Sequence, residues 1–304
     1  MEVTQLTKEY SAIHCSPNEL EEDSSLLGSL INLYQQVFRK DKIFVSELMK
    51  WHQAIPGSAH YFFGVQNGTV VAFNCFTRLM GPSGFSYALS GGSMVLPTHK
   101  GSFVPLFQYS QKIMTNYTDF LMGFCNDRSV RVLCHPVIGW SCSPSFKQIH
   151  LISSKIESVE KNLYTGYSGD FVFPNSLVEF NRTKAFLEWR LSRNNQYRVI
   201  FNQYSKKAVI YKTFEKSADV ISILGCVDDN EYGNELSWFL NYIREQNNIK
   251  GVNLFLSSEK LFYYLQDHFN FVNMDYPRHF CCRRIANMEP GKQLFLEMID
   301  SDTF

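Results

Sequence analysis

The sequence predicts an α+β protein made of two units in tandem, each a mixed, mostly antiparallel sheet flanked by helices. Three observations predict it. The order hairpin, strand, helix, strand, helix, strand runs twice along the chain. A loop-like stretch, "ESVEKNLYTGYSGDFVFPNS", separates the two runs. The chain has 304 residues, 45% hydrophobic and 19% charged, enough for two folded cores. The expected division is residues 1–160 and residues 161–304.

In the first run, "LLGSLINLYQQVF" and "VSELMKWHQAI" carry apolar residues at helical spacing as far as Pro56. "YFFGVQ" and "TVVAFNCF" read as strands joined by Asn67-Gly68, a pair suited to a two-residue turn. A strand is expected over about residues 87–96 and a helix near 102–116, where Leu106, Phe107, Ile113 and Met114 share a face. "DFLMGF" reads as a buried strand and "NDRSVRVLC" as a short helix, with "GWSCS" and "KQIHLI" closing the unit.

The second run begins with a helix near 181–193. "YRVIFNQ", "AVIYKTF" and "DVISILGC" follow as strands. Leu236, Phe239, Leu240 and Ile243 mark a helix over 233–247. "GVNLFL" is a strand, "EKLFYYLQDHF" a helix and "RHFCCRRI" the closing strand.

Composition excludes several classes. The formal net charge is zero, which disfavours non-specific binding to nucleic acid or acidic membranes. No apolar run is long enough to span a bilayer, and the N-terminal residues lack a signal-peptide pattern. The eight cysteines are scattered without a Cys-x-x-Cys pair, so buried thiols in the cytoplasm are expected, with no metal site.

The stretch "VLPTHKGSFVPLF" puts a basic, glycine-containing turn between a strand and a helix. The first N–H groups of a helix have no partner within it, and the helix dipole adds positive charge there. Gly101 permits close backbone approach, and His99 and Lys100 add donors and charge, so the turn can cradle a phosphate.

That stretch resembles the acyl-CoA-binding segment of the GCN5-related N-acetyltransferase (GNAT) superfamily. "LMGFCNDRSVRVLCHPVIGW" is similar to the following strand and helix, with Gly123, Phe124, Asn126 and Gly139-Trp140 at motif positions. "FLEWRLSRNNQYRV" and "LFLEMIDSDTF" further resemble two-module GNAT proteins associated with bacterial surface polysaccharides. Aligned on Gly101, Thr98 stands where the superfamily has Arg or Gln, and Phe103 where it has Gly or Ala, beside the phosphate position.

The resemblance implies an acyl-CoA-dependent N-acyltransferase with acetyl-CoA or another acyl-CoA as co-substrate and no metal. Residues 1–160 would bind acyl-CoA, and residues 161–304 would be a degenerate module shaping the acceptor site. Pantetheine would lie against Met94, Val95 and Leu96. The pyrophosphate would lie over His99, Lys100, Gly101, Ser102, Phe103 and Val104. Asn126 would hold the pantetheine amide or cap the next helix. His135, or less favourably Cys134, would protonate the departing thiolate.

The acceptor would be a small-molecule amine, an amino sugar or sugar nucleotide first. Trp189, Arg190 and Tyr197, with Asp300 and Asp302 in the tail, are the substrate-contact candidates. The alternative for Trp189 and Arg190 is a helix with its Trp inward and its Arg in solvent. The matching junction of the second run is acidic, with Asp228, Asp229, Glu231 and Glu235, and should repel a pyrophosphate. Two other readings are an aminoacyl-tRNA-dependent peptidyltransferase, which the neutral charge disfavours, and a non-catalytic scaffold. Oligomeric state stays open.

Overall fold

In the computed structural model the described residues are 1–80, 86–142, 147–156, 164–167, 184–192, 197–202, 204–214, 216–226, 228–247, 249–256, 258–274 and 279–284. They form two compact units. One comprises the described residues from 1 to 142 with 279–284, the other those from 147 to 274.

The first unit opens with two strands that sequence reading did not assign, β1 (Glu2–Gln5) and β2 (Tyr10–Cys15). Three helices follow: α1 (Pro17–Glu22), α2 (Ser24–Phe38) and α3 (Lys42–Gln53). Side chains at their starts satisfy unpaired helix N–H groups. Ser16 and Glu19 form a reciprocal capping box, and Asp23 and Asp41 accept from the first turns of α2 and α3. Leu26, Leu30, Leu33 and Tyr34 bury one face of α2.

The hairpin β3 (Gly57–Gln66) and β4 (Thr69–Met80) turns at Asn67 and Gly68, both at positive φ, as their sequence predicts. Then come β5 (Ser86–Val95), a 3₁₀ turn (Pro97–Ser102), α4 (Phe103–Met114), β6 (Phe120–Cys125), α5 (Asp127–Leu133) and β7 (Ser141–Cys142).

The second unit contains β8 (Lys147–Ser154), β9 (Tyr164–Tyr167), α6 (Lys184–Ser192), β10 (Arg198–Asn202), β11 (Lys207–Phe214), β12 (Ser217–Leu224), α7 (Asp229–Asn247), β13 (Gly251–Leu256), α8 (Glu259–His268) and β14 (Phe269–Asn273). The last strand, β15 (His279–Arg284), returns to the first unit.

The sheet orders are β1-β2-β3-β4-β5-β6-β15-β7 and β14-β8-β13-β12-β11-β10-β9. The predicted repeat is present in both. An antiparallel meander leads through a crossover helix into a parallel strand, β5 to β6 over α4 and β12 to β13 over α7.

Two strands correct the sequence reading. "KQIHLI" does not close the first unit but pairs between β13 and β14 in the second sheet. "RHFCCRRI" does not close the second but pairs with β6 and β7. The units therefore exchange strands, and contacts change sheets after Cys142 rather than near residue 160. Short apolar strands carry little information about which sheet they join.

Both faces of the first sheet are covered, which explains the nearly continuous burial of β4. One cluster joins Phe62, Phe76, Leu106, Phe107 and Leu121 to Trp140. The other joins Tyr61, Phe63 and Phe73 to α2 and α3. In the second unit, Leu236, Phe239, Leu240 and Ile243 of α7 pack with Leu261 and Leu265 of α8 against the sheet.

Candidate active site

The site is made by two parallel strands that part. β5 and β6 pair only at Tyr87 with Phe120, Ala88 with Leu121 and Leu89 with Met122. Beyond that, β5 stays with β4 as far as Val95, whereas β6 pairs with β15. At the apex, a Cβ on Gly123 would be in ordinary van der Waals contact with the Ser90 carbonyl oxygen, at 3.6 Å. The wedge thus opens between residues 90–96 and 123–126, leaving the facing backbone edges without a mutual ladder.

A buried amide holds β5 in its diverging path. Register breaks between Phe73 and Cys75, where Gly92 takes φ +61°. Asn74 is 0% exposed. Its Nδ2 donates to Ser110 Oγ of α4 (3.1 Å), and its Oδ1 accepts from Ser90 Oγ (3.2 Å) and Ser93 Oγ (2.6 Å). One side chain therefore ties β4, both sides of the bulge and the crossover helix together.

The 3₁₀ turn and the start of α4 follow the open end of β5. Gly101 is exposed, and a Cβ there would meet nothing within 4 Å. Lys100 is exposed, and Thr98 Oγ1 lies 2.8 Å from His99 Nδ1. Ser102 anchors the turn: Tyr10 donates to its carbonyl (2.6 Å), and its hydroxyl donates to Gln66 Oε1 (3.1 Å). Tyr10 crosses directly over Gly64, where any Cβ would collide with its ring. Burial raises the Tyr10 phenol well above its ordinary pKa, which keeps it a donor.

Phe103 packs inward. It is half-buried against the apolar cluster, with its ring centroid 5.4 Å from that of Phe107. Its ring packs against the core of the first unit. Val95, Leu96 and Val104 also pack partly against this cluster, whereas the Met94 side chain belongs to the cluster under α2 and α3.

At the end of β6, Asn126 caps α5, its Oδ1 accepting from the N–H groups of Arg128 and Ser129 (3.1 and 2.9 Å). His135 is exposed in the turn after α5, and its Nδ1 accepts from Val137 N–H (3.3 Å). With α5 spanning seven residues, Asn126 and His135 stand at its opposite ends. Gly139 takes φ +78°, and Trp140 docks on α4 through Nε1 to Gln111 Oε1 (3.0 Å), so the Gly-Trp pair is a packing device.

The second-unit candidates lie differently. Trp189 and Arg190 are both buried, correcting the alternative of a solvated arginine, and Trp189 packs on Phe186. Tyr197 is half-buried. Asp300 and Asp302 lie outside the described residues. The acidic junction is internally engaged. Asp228 caps α7, Asp229 pairs with Lys260 (2.9 Å) and Glu231 with Lys207 (3.1 Å). Glu235 is 3% exposed and accepts from Asn202 (2.7 Å) and Ser205 (2.8 Å). Desolvation raises its pKa. Glu235 therefore pins a hairpin rather than facing a ligand, a correction to its expected repulsive role.

Tyr10, Gln66 and Asn74 were missed in the sequence. Their only trace was polarity inside apolar strand patterns, which does not disclose a partner.

No family model matches the chain, and no curated protein matches it by sequence. Solved structures do match. A GCN5-related N-acetyltransferase from Anabaena variabilis aligns over 90% of this chain and 73% of its own, at 10% identity and TM-score 0.63. A tandem GNAT protein from the clavulanic acid biosynthesis pathway aligns over 92% of this chain and 100% of its own, at 12% identity and TM-score 0.54. A glucosamine N-acetyltransferase region of a fungal multi-domain β-N-acetylglucosaminidase aligns over 91% of this chain and 38% of that one, at 10% identity and TM-score 0.52. The fold is that of two tandem GNAT-like modules. Among the described residues no helix is long and apolar enough to cross a membrane.

Proposed function

We propose that the protein is an acyl-CoA-dependent N-acyltransferase whose acyl-CoA site is the wedge of the first unit. The observation that carries this reading is the loss of β5–β6 pairing after Leu89 and Met122, beside the accessible turn at Gly101. A pantetheine arm is a slender chain with two amides. It suits a gap between two strand edges that can each offer backbone N–H and C=O groups. In this reading pantetheine bonds along residues 94–96. The pyrophosphate lies over residues 99–104 at the start of α4, with Lys100 supplying charge.

An amine would attack the thioester carbonyl directly. A backbone N–H of the β5 edge would stabilise the oxyanion, a contribution of about 3 kcal/mol per donor in other enzymes. The amine must be neutral to attack, so a base or a water chain takes its proton. With Nδ1 accepting from Val137, His135 would carry its proton on Nε2 and reach the thiolate through water. Asn126 would offer its Nδ2 to the pantetheine arm while its Oδ1 caps α5.

The acceptor we favour is an amino sugar, alone or nucleotide-linked, for surface polysaccharide. The glucosamine-acetylating structural neighbour supports that class. We place the reaction in the cytoplasm, where acyl-CoA is made.

Calorimetry with acetyl-CoA and with CoA tests the first step. Saturable binding is expected, and Lys100→Glu and Gly101→Glu should each weaken it at least about tenfold through charge repulsion and blocked approach. Absence of binding at millimolar ligand would refute the enzyme reading. Thiol release from acetyl-CoA with glucosamine, an amino-sugar nucleotide or amino acids then ranks acceptors. Preference for amino acids would refute the sugar assignment alone.

A further inference from the structure

Four cysteines distant in sequence lie on or beside the β6–β15–β7 end of the first sheet. Cys125 ends β6, Cys134 caps the C-terminus of α5, Cys142 lies in β7 and Cys281 in β15. Cys281 stands directly opposite Cys142 and two positions along from the partner of Cys125. The Sγ atoms of Cys134 and Cys281 are 3.9 Å apart.

We propose that Cys134 and Cys281 are a reversible disulfide pair that latches the returning strand β15 to α5. The 3.9 Å approach of the two Sγ atoms selects this pair. Diagonal neighbours on adjacent strands have Cβ atoms about 7–8 Å apart, too far for a disulfide, which disfavours Cys125. Cys134 is the C-cap residue of α5. It is half-buried and so within reach of a small oxidant, whereas Cys281 is buried.

The latch would complete an attachment already half made. At the other end of α5, Asp127 Oδ1 pairs with His279 Nε2 of the same strand (2.7 Å). Closure would fix both ends of α5 to β15, which pairs along β6, one wall of the wedge.

The oxidant is a low-molecular-weight disulfide such as oxidised glutathione. The Cys134 thiolate attacks one of its sulfurs, breaking the S–S bond and releasing one thiol. Cys281 attacks Cys134 Sγ in the mixed disulfide, and its proton goes to the second departing thiol. Two protein thiols lose two electrons and two protons, and one disulfide becomes two thiols. Burial pushes the Cys134 thiol up to about 11. The thiolate is then scarce at neutral pH, and closure should quicken about tenfold per pH unit from pH 7 to 9.

The experiment is incubation of the full chain with oxidised glutathione, followed by peptide mapping without reductant. The expected product has lost two hydrogens, links Cys134 to Cys281, and reverts with dithiothreitol. Amide exchange at residues 123–125 and 280–282 should slow about tenfold on closure. Cys134→Ser should abolish the link and Cys282→Ser should not. Mapping on the native chain stands even where a variant fails to fold. A Cys142–Cys281 link instead, or Cys134 left as a thiol after full oxidation, would overturn the proposal.

Discussion

Tyr10 and Asn74 shape the candidate site without belonging to it by position in the chain. Tyr10→Phe removes only the hydroxyl that holds the Ser102 carbonyl. It should cost about 1 kcal/mol of stability and weaken acetyl-CoA binding severalfold, measured by denaturant unfolding and calorimetry. Asn74→Ala removes the amide that donates to the buried Ser110 hydroxyl and accepts from Ser90 and Ser93. A loss of about 2–3 kcal/mol is expected in the same unfolding assay. His14 and His60 form a half-buried pair, with ring nitrogens 3.1 Å apart and stacked rings. Desolvation lowers both pKa values, that of His60 to about 4. The unfolded chain then binds more protons, so this contribution to stability is intact above about pH 6.5 and falls away as pH drops toward 4. Thermal unfolding at pH 7 and pH 5 should show a smaller acid-induced drop in Tm for His60→Gln than for the native chain.

At the scale of elements, helices and hairpins were legible because their signals are local. Asn67-Gly68 and the spacing of Leu26, Leu30 and Leu33 each state a conformation within a few residues. β1, β2, β9 and β14 were missed because each is a short strand lacking strong alternation or a turn signal. α5 shows how an element can have two duties at one residue. Asn126→Ala removes the acceptor for the N–H groups of Arg128 and Ser129. It should lower stability by about 1 kcal/mol, whereas Asn126→Asp keeps the cap. If Asn126 also meets pantetheine, Asn126→Asp will still lose affinity for CoA while its unfolding curve matches the native one. The bulge opposite Asn74 was not read from the sequence. No residue pattern within β5 announces where its pairing stops.

At the scale of the molecule, the exchange of β8 and β15 makes each sheet depend on chain from the other run of elements. A chain ending at Met274 lacks β15, leaving β6 an edge strand and removing the Asp127–His279 pair. Amide exchange should accelerate at residues 121–125 far more than at residues 252–256, whose strand keeps its β8 and β12 partners. Equal acceleration in both would show that the units fold only together. By itself the sequence determined the repeated plan, most helices, the hairpin turn and the one basic strand–helix junction. All of these rest on propensity, periodicity and turn chemistry within a short window. Tertiary structure alone decided which sheet takes "KQIHLI" and "RHFCCRRI", that Phe103 packs against Phe107, that Glu235 is buried and that Cys134 meets Cys281. Those outcomes depend on contacts between residues far apart in the chain, and a strand's hydrogen-bonding edge is the same whichever partner it finds.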